Sequence, residues 1–259
     1  GLFLGDTDFS EIVLNTLKKL NKKYFIIDFS KNNKFKKDKN AHRISIGKFG
    51  KIISLIKKRK SKKVLFAGKI AKPKFSTLRL DLKGIYYMPS LIKAAKFGDA
   101  AIIKAIIKIL DNEKIKVISS NFFNSELSLK VGNYTKLRPS VKDIQSIKKG
   151  VLYFNQLNSL DHVQALIVKD EKIKAVEGNR GTKKMLSKLK KKSRGILIKL
   201  PKKKQDLRMD LPTIGLNTLR DSKKYGLKGI VLKSKKNIFL DKSKCIAFAN
   251  KNKIFINVI

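Results

Sequence analysis

Carboxylates are scarce in this chain, with 19 Asp and Glu against 62 Lys and Arg, so those that close apolar runs are the first candidates for chemistry. Asp206 and Asp210 stand four apart in QDLRMDLPTIG, and Glu177 precedes Gly178, Gly181 and Thr182 in VEGNRGT. A turning backbone can aim Asp206 and Asp210 into one cleft, where their hard oxygen atoms suit Mg²⁺ or Mn²⁺ shared with phosphate oxygens. A metal held by Asp206 and Asp210, nearby lysines and a water-orienting aspartate together supply what phosphoryl transfer requires. A plainer alternative remains open: Asp210 caps a helix that starts at Leu211 with Pro212 in its first turn.

These residues need a frame, and apolar periodicity supplies one. In the first half LFLG (2–5) reads as a strand, FSEIVLNTLKKL (9–20) as a helix and YFIIDF (24–29) as a buried strand. GKFGKIISLIKK (47–58) follows as a helix, KVLFAG (63–68) as a strand, and 89–113 as one broken helix or two. Such alternation predicts a Rossmann-like parallel sheet with helices on both faces, whose ligands bind beyond the carboxyl ends of the strands. Gly5 and Gly68 fall at those ends, either as plain turns or as points of close backbone approach to a phosphate.

The Gly- and Pro-containing stretch GNYTKLRPSVK sets the expected division, giving an N-terminal domain over 1–136 and a C-terminal mixed α/β domain over 137–259. There SVKDIQSIKKGVLYFNQL and GTKKMLSKLKKK read as helices, and QALIVKDEKIKAVEG as a hairpin turning at Asp170 and Glu171. GILIKLP, GIVL and KIFINVI read as strands, LPTIGLNTLRDSKKYG and DKSKCIAFANKN as helices, the last capped by Asp241.

Composition excludes several classes. The single Cys245 rules out an intrachain disulfide, and His42 and His162 are isolated, which leaves no zinc-ligand cluster and no catalytic role for either. No apolar run reaches the ~20 residues of a membrane span, and GLFLGDTDFS lacks the order of a secretory signal, so a cytoplasmic protein is expected. The formal charge of +43 would attract nucleic acid, an anionic membrane or a phosphorylated substrate. The preponderance of lysine over arginine, with abundant Ile, Asn and Phe, fits compositional drift at most positions, and no strand motif of exposed aromatics argues for RNA. No G-x-G-x-x-G follows the first strand, which weighs against a nicotinamide-dependent oxidoreductase.

Six stretches in order resemble one family, the bacterial UDP-2,3-diacylglucosamine pyrophosphatases of the non-calcineurin, LpxI type. They are IGKFGKI (46–52), VLFAGKIAKPKF (64–75), MPSLIKAAKFGDAAIIKAI (88–106), KAVEGNRGTKKML (174–186), ILIKLPKKKQDLRMDLPTIG (196–215) and GLKGIV (226–231). GDTDFS (5–10) departs from the family by carrying less glycine. The resemblance implies a two-domain, Mg²⁺-dependent hydrolase that cleaves UDP-2,3-diacylglucosamine to UMP and lipid X in lipid A biosynthesis, water attacking the phosphorus nearer the sugar. It further implies that Asp210 is essential. On that reading Lys69 and Lys199 neutralise phosphate oxygens or are merely solvated, Asp99 caps a helix or meets the ligand, and Gln205 and Thr213 offer neutral hydrogen bonds. Glu177 and Thr182 meet nucleotide or metal, Tyr86, Tyr87, Met88 and Leu91 line an acyl groove or the core, and lysines contact anionic inner-membrane lipid. The competing expectation is a basic α/β module that binds nucleotide or nucleic acid without turnover.

Overall fold

Short apolar runs between charged loops become the strands of two sheets in the computed structural model, which describes residues 1–71, 74–123, 125–157, 163–178, 180–189, 193–202 and 206–259. The chain divides into two units, Gly1–Asn124 and Ser125–Ile259. Among the described residues no helix is long and apolar enough to cross a membrane.

In the first unit β1 (Leu2–Leu4), α1 (Asp8–Lys19), β2 (Ile26–Asp28), β3 (Ala41–His42), α2 (Phe49–Lys58), β4 (Lys63–Ala67), α3 (Leu82–Ala95), α4 (Asp99–Asn112) and β5 (Lys116–Ile118) follow in order. The sheet runs β3-β2-β1-β4-β5 with every pairing parallel. Strands buried on both faces have no polar side to alternate, which is why LFL and IID are wholly buried. Helix α2 buries Phe49, Ile52, Ile53 and Ile56, one stripe at helical spacing. The long apolar stretch at 89–113 is two helices, parted at Gly98, whose φ of 96° few side chains tolerate.

Asp81 joins two of these helices. Its carboxylate accepts the N–H groups of Gly50 (3.0 Å) and Lys51 (3.0 Å) in α2 and of Gly84 (2.8 Å) in α3. Burial pushes this carboxyl up, but the backbone donors outweigh it and hold it below its ordinary value. A second clamp forms at Glu113, which accepts from Lys57 (2.7 Å), Tyr87 hydroxyl (3.0 Å) and Lys83. Hydrogen bonds from Lys57 and Lys83 foremost pull its carboxyl down to about 2 from 4.5. Because the folded value lies below the unfolded one, the stabilisation is complete above the unfolded value and is lost as pH falls through the folded one. Glu113→Gln should cost on the order of 1–2 kcal/mol at neutral pH, and its gap from wild type should close between about pH 4.5 and 2. Urea midpoints that keep the same gap at pH 5 and 2.5 would refute the assignment.

The second unit contains β6 (Gly132–Asn133), α5 (Val141–Gln156), β7 (Ala165–Lys169), β8 (Lys172–Val176), α6 (Gly181–Ser187), β9 (Ile196–Lys199), β10 (Thr213–Ile214), α7 (Leu216–Lys224), β11 (Gly229–Leu232), β12 (Ile238–Phe239), α8 (Lys242–Lys251) and β13 (Phe255–Val258). Its main sheet, β6-β13-β11-β9-β7-β8, has a parallel centre and antiparallel edges, and β10 pairs with β12 apart from it. The hairpin turns at Asp170 and Glu171 as expected, both with positive φ, the conformation a two-residue turn demands. Helix α5 lies close on the sheet because residue 150 is glycine: a Cβ there would stand 2.4 Å from Ile198 Cδ1.

Three expectations differ from what is found. The units part before Ser125, earlier than the 136/137 division. The stretch GNYTKLRPSVK is not a linker, since β6 pairs with β13, the Tyr134 N–H donates to Ile256 O (2.9 Å) and the Ile256 N–H donates to Thr135 Oγ1 (2.9 Å). Its Ser140 starts α5 with a capping box shared with Asp143. The helix expected from Leu211 begins only at Leu216, because Thr213 and Ile214 are claimed first by pairing with Ile238 and Phe239. Asp241 stands at the cap position of α8 but makes no side-chain capping bond.

Candidate active site

Strand β9 delivers the first member. Ile196, Leu197 and Ile198 are buried, and the strand ends at Lys199, half-buried at its carboxyl end. Next along the sheet past β7, the chain leaving β8 places Glu177 at 5% exposure, and Thr182 follows in the first turn of α6. Glu177 accepts the Thr182 hydroxyl (2.6 Å) and the Gln164 backbone N–H (2.7 Å), while the Lys199 ammonium donates to Thr182 Oγ1 (3.3 Å). Carboxylate, hydroxyl and ammonium thus form one chain of hydrogen bonds. Burial pulls the Lys199 ammonium below its ordinary value, and the charges of Glu177 and Asp210 push it back up. The Gln164 side-chain nitrogen beside this network is buried without a partner among the described residues.

Asp210 enters from the DLPTIG segment. The Asp210 N–H donates to Asp206 O (3.0 Å), closing a turn, after which Leu211 is buried and Pro212 O accepts from Ile238 N–H (2.9 Å). The β10–β12 pair therefore fixes the motif's backbone. The cap of α7 is Gly215, so Asp210 is no helix cap, and the plainer expectation fails. Thr213 is at hand, but its hydroxyl donates to Leu211 O (3.1 Å). Gln205 and His162 lie outside the described residues.

A cavity of about 580 Å³ is lined by Gly178, Gly181, Lys174, Arg180, Lys184 and apolar Met185, among others; Glu177, Thr182, Lys199 and Asp210 do not line it. Gly178 and Gly181 thus border open space, where a Cβ would meet nothing within 4 Å. Taken together, these groups offer cations to hold phosphate oxygens and a carboxylate, Asp210, to orient or polarise water.

Asp206 does not take the place the four-residue spacing gave it. Its two carboxylate oxygens accept a fork from Arg208 Nε (3.0 Å) and a terminal nitrogen (2.8 Å), and one also accepts the Arg208 N–H (3.0 Å). A cation at Asp206 would have to displace that guanidinium. Among the described residues no three His, Cys, Asp or Glu side chains gather as a metal cage. A hard cation that needs one or two carboxylates plus substrate phosphates still fits Asp210.

The first unit carries its own candidates at the point where its strand order reverses, between β1 and β4. Gly5 is required by close approach, since a Cβ there would stand 2.3 Å from Lys69 O. At Gly68, with φ of 84°, a Cβ would meet Ser10 Oγ at 2.1 Å. Buried Ser10 shares its hydroxyl between Ala67 O (2.8 Å) and Gly5 O (2.9 Å). The two glycines therefore serve the β1–α1 packing first. Lys69 contributes its carbonyl, accepting the Asp6 N–H (2.9 Å), and its side chain is exposed. Asp99 is the first residue of α4, and the cap position belongs to Gly98. Met88 and Leu91 are buried and Tyr87 serves Glu113, which leaves Tyr86 alone of that group facing out. His42 meets Arg59 (3.1 Å), and burial foremost lowers its pKa. Buried Cys245, with its thiol pushed up to about 11, is no nucleophile.

Sequence reasoning missed Arg208 and Gln164. The D-x-R order of 206–208 could have signalled an arginine turned back onto Asp206; nothing in the sequence singles out Gln164.

A family model described as the LpxI N-terminal domain matches residues 1–127, and one described as the LpxI C-terminal domain matches residues 130–257. Among curated proteins, the UDP-2,3-diacylglucosamine pyrophosphatase LpxI of Caulobacter vibrioides is 30% identical over 223 residues, covering 82% of this chain and 80% of its own length.

Proposed function

The chain belongs to the LpxI family, and on that premise we propose that it hydrolyses the pyrophosphate bond of UDP-2,3-diacylglucosamine, releasing UMP and 2,3-diacylglucosamine 1-phosphate, lipid X. The observation that carries the reading is the Glu177–Thr182–Lys199 chain within electrostatic reach of Asp210. In this reading the first unit is Rossmann-like, on the strength of its strand order.

Lys199 holds a pyrophosphate oxygen as a point charge. Glu177 keeps the Thr182 hydroxyl turned so that its oxygen faces the ammonium, which orients Lys199. Asp210 accepts a hydrogen bond from the water that attacks the phosphorus nearer the sugar. The water oxygen bonds to that phosphorus, the anhydride bond breaks, and the bridging oxygen leaves with UMP. Mg²⁺, or Mn²⁺, would supply charge neutralisation on the phosphate oxygens when bound, and Asp210 would hold it together with the substrate. The enzyme is further proposed to act in the cytoplasm, peripherally on anionic inner-membrane lipid.

Incubating the protein with UDP-2,3-diacylglucosamine and Mg²⁺ should release UMP, and reaction in ¹⁸O-water should label lipid X rather than UMP. Excess EDTA should abolish turnover, and undiminished release would remove the metal from the proposal. A basic module that binds nucleotide without turnover would release no UMP at all, and it leaves the buried Glu177 chain without a role.

A further inference from the structure

Helix α3 has two unlike sides. Gly84, Met88 and Leu91 face inward and are buried. The opposite side carries Leu82, Ile85, Tyr86 and Ile92, which are 87, 59, 77 and 43% exposed, and Phe97 just beyond the helix is 66% exposed. Positions 82, 85, 86, 89 and 92 recur at helical spacing, so these side chains form one apolar stripe along the helix, with Pro89 in its middle. Exposed Lys93 and Lys96 continue the same side at the carboxyl end of the helix, and exposed Lys104 and Lys108 stand on α4. None of the four forms an ion pair among the described residues. An isolated exposed leucine is ordinary, but an aligned row of large apolar groups edged with cations is the pattern of a helix that lies in a lipid interface.

We propose that this stripe is the surface by which the protein rests on an anionic lipid bilayer. Leu82, Ile85 and Ile92 enter the boundary between headgroups and acyl chains. Tyr86 sits at the same level with its hydroxyl toward water, and Lys93 and Lys96 meet lipid phosphates. Charge complementarity selects this occupant: a second copy would bring another surface of a chain carrying +43, whereas an anionic bilayer accepts both the apolar row and its basic edge. The inference rests on the reading of the chain as a peripheral enzyme of a diacylated substrate, and names the surface that makes the contact.

The test is sedimentation of the full chain with vesicles that contain no substrate, either pure phosphatidylcholine or phosphatidylcholine with phosphatidylglycerol. Wild type should bind the anionic vesicles at least about tenfold more tightly than the neutral ones. The double variant Leu82→Asp/Ile85→Asp, altered only at exposed positions, should lose at least about tenfold in anionic-vesicle binding while keeping the wild-type melting temperature and UMP release from detergent-dispersed substrate. Lys93→Glu/Lys96→Glu should weaken the same binding most at low salt. Unaltered vesicle binding by the Leu82/Ile85 variant overturns the proposal, as does a wild type that ignores every vesicle. A wild-type dimer that this variant dissociates, with vesicle binding retained, would give the stripe to a second copy instead. Loss of vesicle binding together with no UMP release from any form would uphold the surface and sink the reaction.

Discussion

Asp210→Asn should yield a protein that folds with the wild-type melting temperature, retains the lipid nucleotide and releases UMP on the order of 10² to 10⁴-fold more slowly. The structure sharpens this expectation by removing its main competitor. Were Asp210 a helix cap, its replacement would act through stability, costing roughly 1 kcal/mol on truncation to alanine. Helix α7 instead starts after Gly215, and the backbone of the motif is held by the β10–β12 pair and by the Asp210 N–H to Asp206 O bond, none of which needs the Asp210 carboxylate. Asparagine keeps the size and loses the charge. A loss confined to kcat at saturating substrate and Mg²⁺ would place that charge at the reacting atoms. Near-normal turnover would overturn the mechanism, whatever the variant's stability.

Lys199→Met should lower kcat/KM by about 10²-fold or more, the usual scale for removing a charge that stabilises a developing phosphate oxyanion. Methionine preserves most of the buried stem, so the core of β9 should survive. Glu177 would still accept from Thr182 and the Gln164 N–H, which keeps the carboxylate satisfied. If Lys199 only neutralises Glu177 inside the fold, the variant would show a shifted melting temperature with unchanged kcat/KM. Thr182→Val makes a useful companion, because it removes the hydroxyl link between Glu177 and Lys199 while leaving both charges. It should loosen substrate binding less than Lys199→Met does.

Sequence alone determined a great deal here, and the reasons differ by element. Central strands such as GIVL, wholly buried as Gly229–Leu232, are legible because nothing polar can occupy them. Helix α2 is legible because its buried stripe has one period, and the Asp170–Glu171 turn because polar residues interrupt two apolar runs. Composition and the DLPTIG segment singled out Asp210, Glu177, Thr182 and Lys199 as candidates, since a chain so poor in acid keeps few carboxylates beside turns, and the fold brings Glu177, Thr182 and Lys199 into one chain of hydrogen bonds.

What the tertiary structure alone decided concerns competition for the same groups. Thr213 and Ile214 satisfy a helix-start pattern locally, yet a strand pairing with Ile238 and Phe239, distant in sequence, takes their backbone first. Asp206 and Asp210 look equivalent at four residues apart, but Arg208 engages one of them through a two-pronged ion pair whose geometry no spacing encodes. Gly132 and Asn133 read as a linker and become an edge strand because β13, the last strand of the chain, offers them an open ladder. Local pattern fixes which conformations are cheap; which partner arrives to claim each donor and acceptor depends on contacts far apart in sequence, and those exist only once the chain has folded.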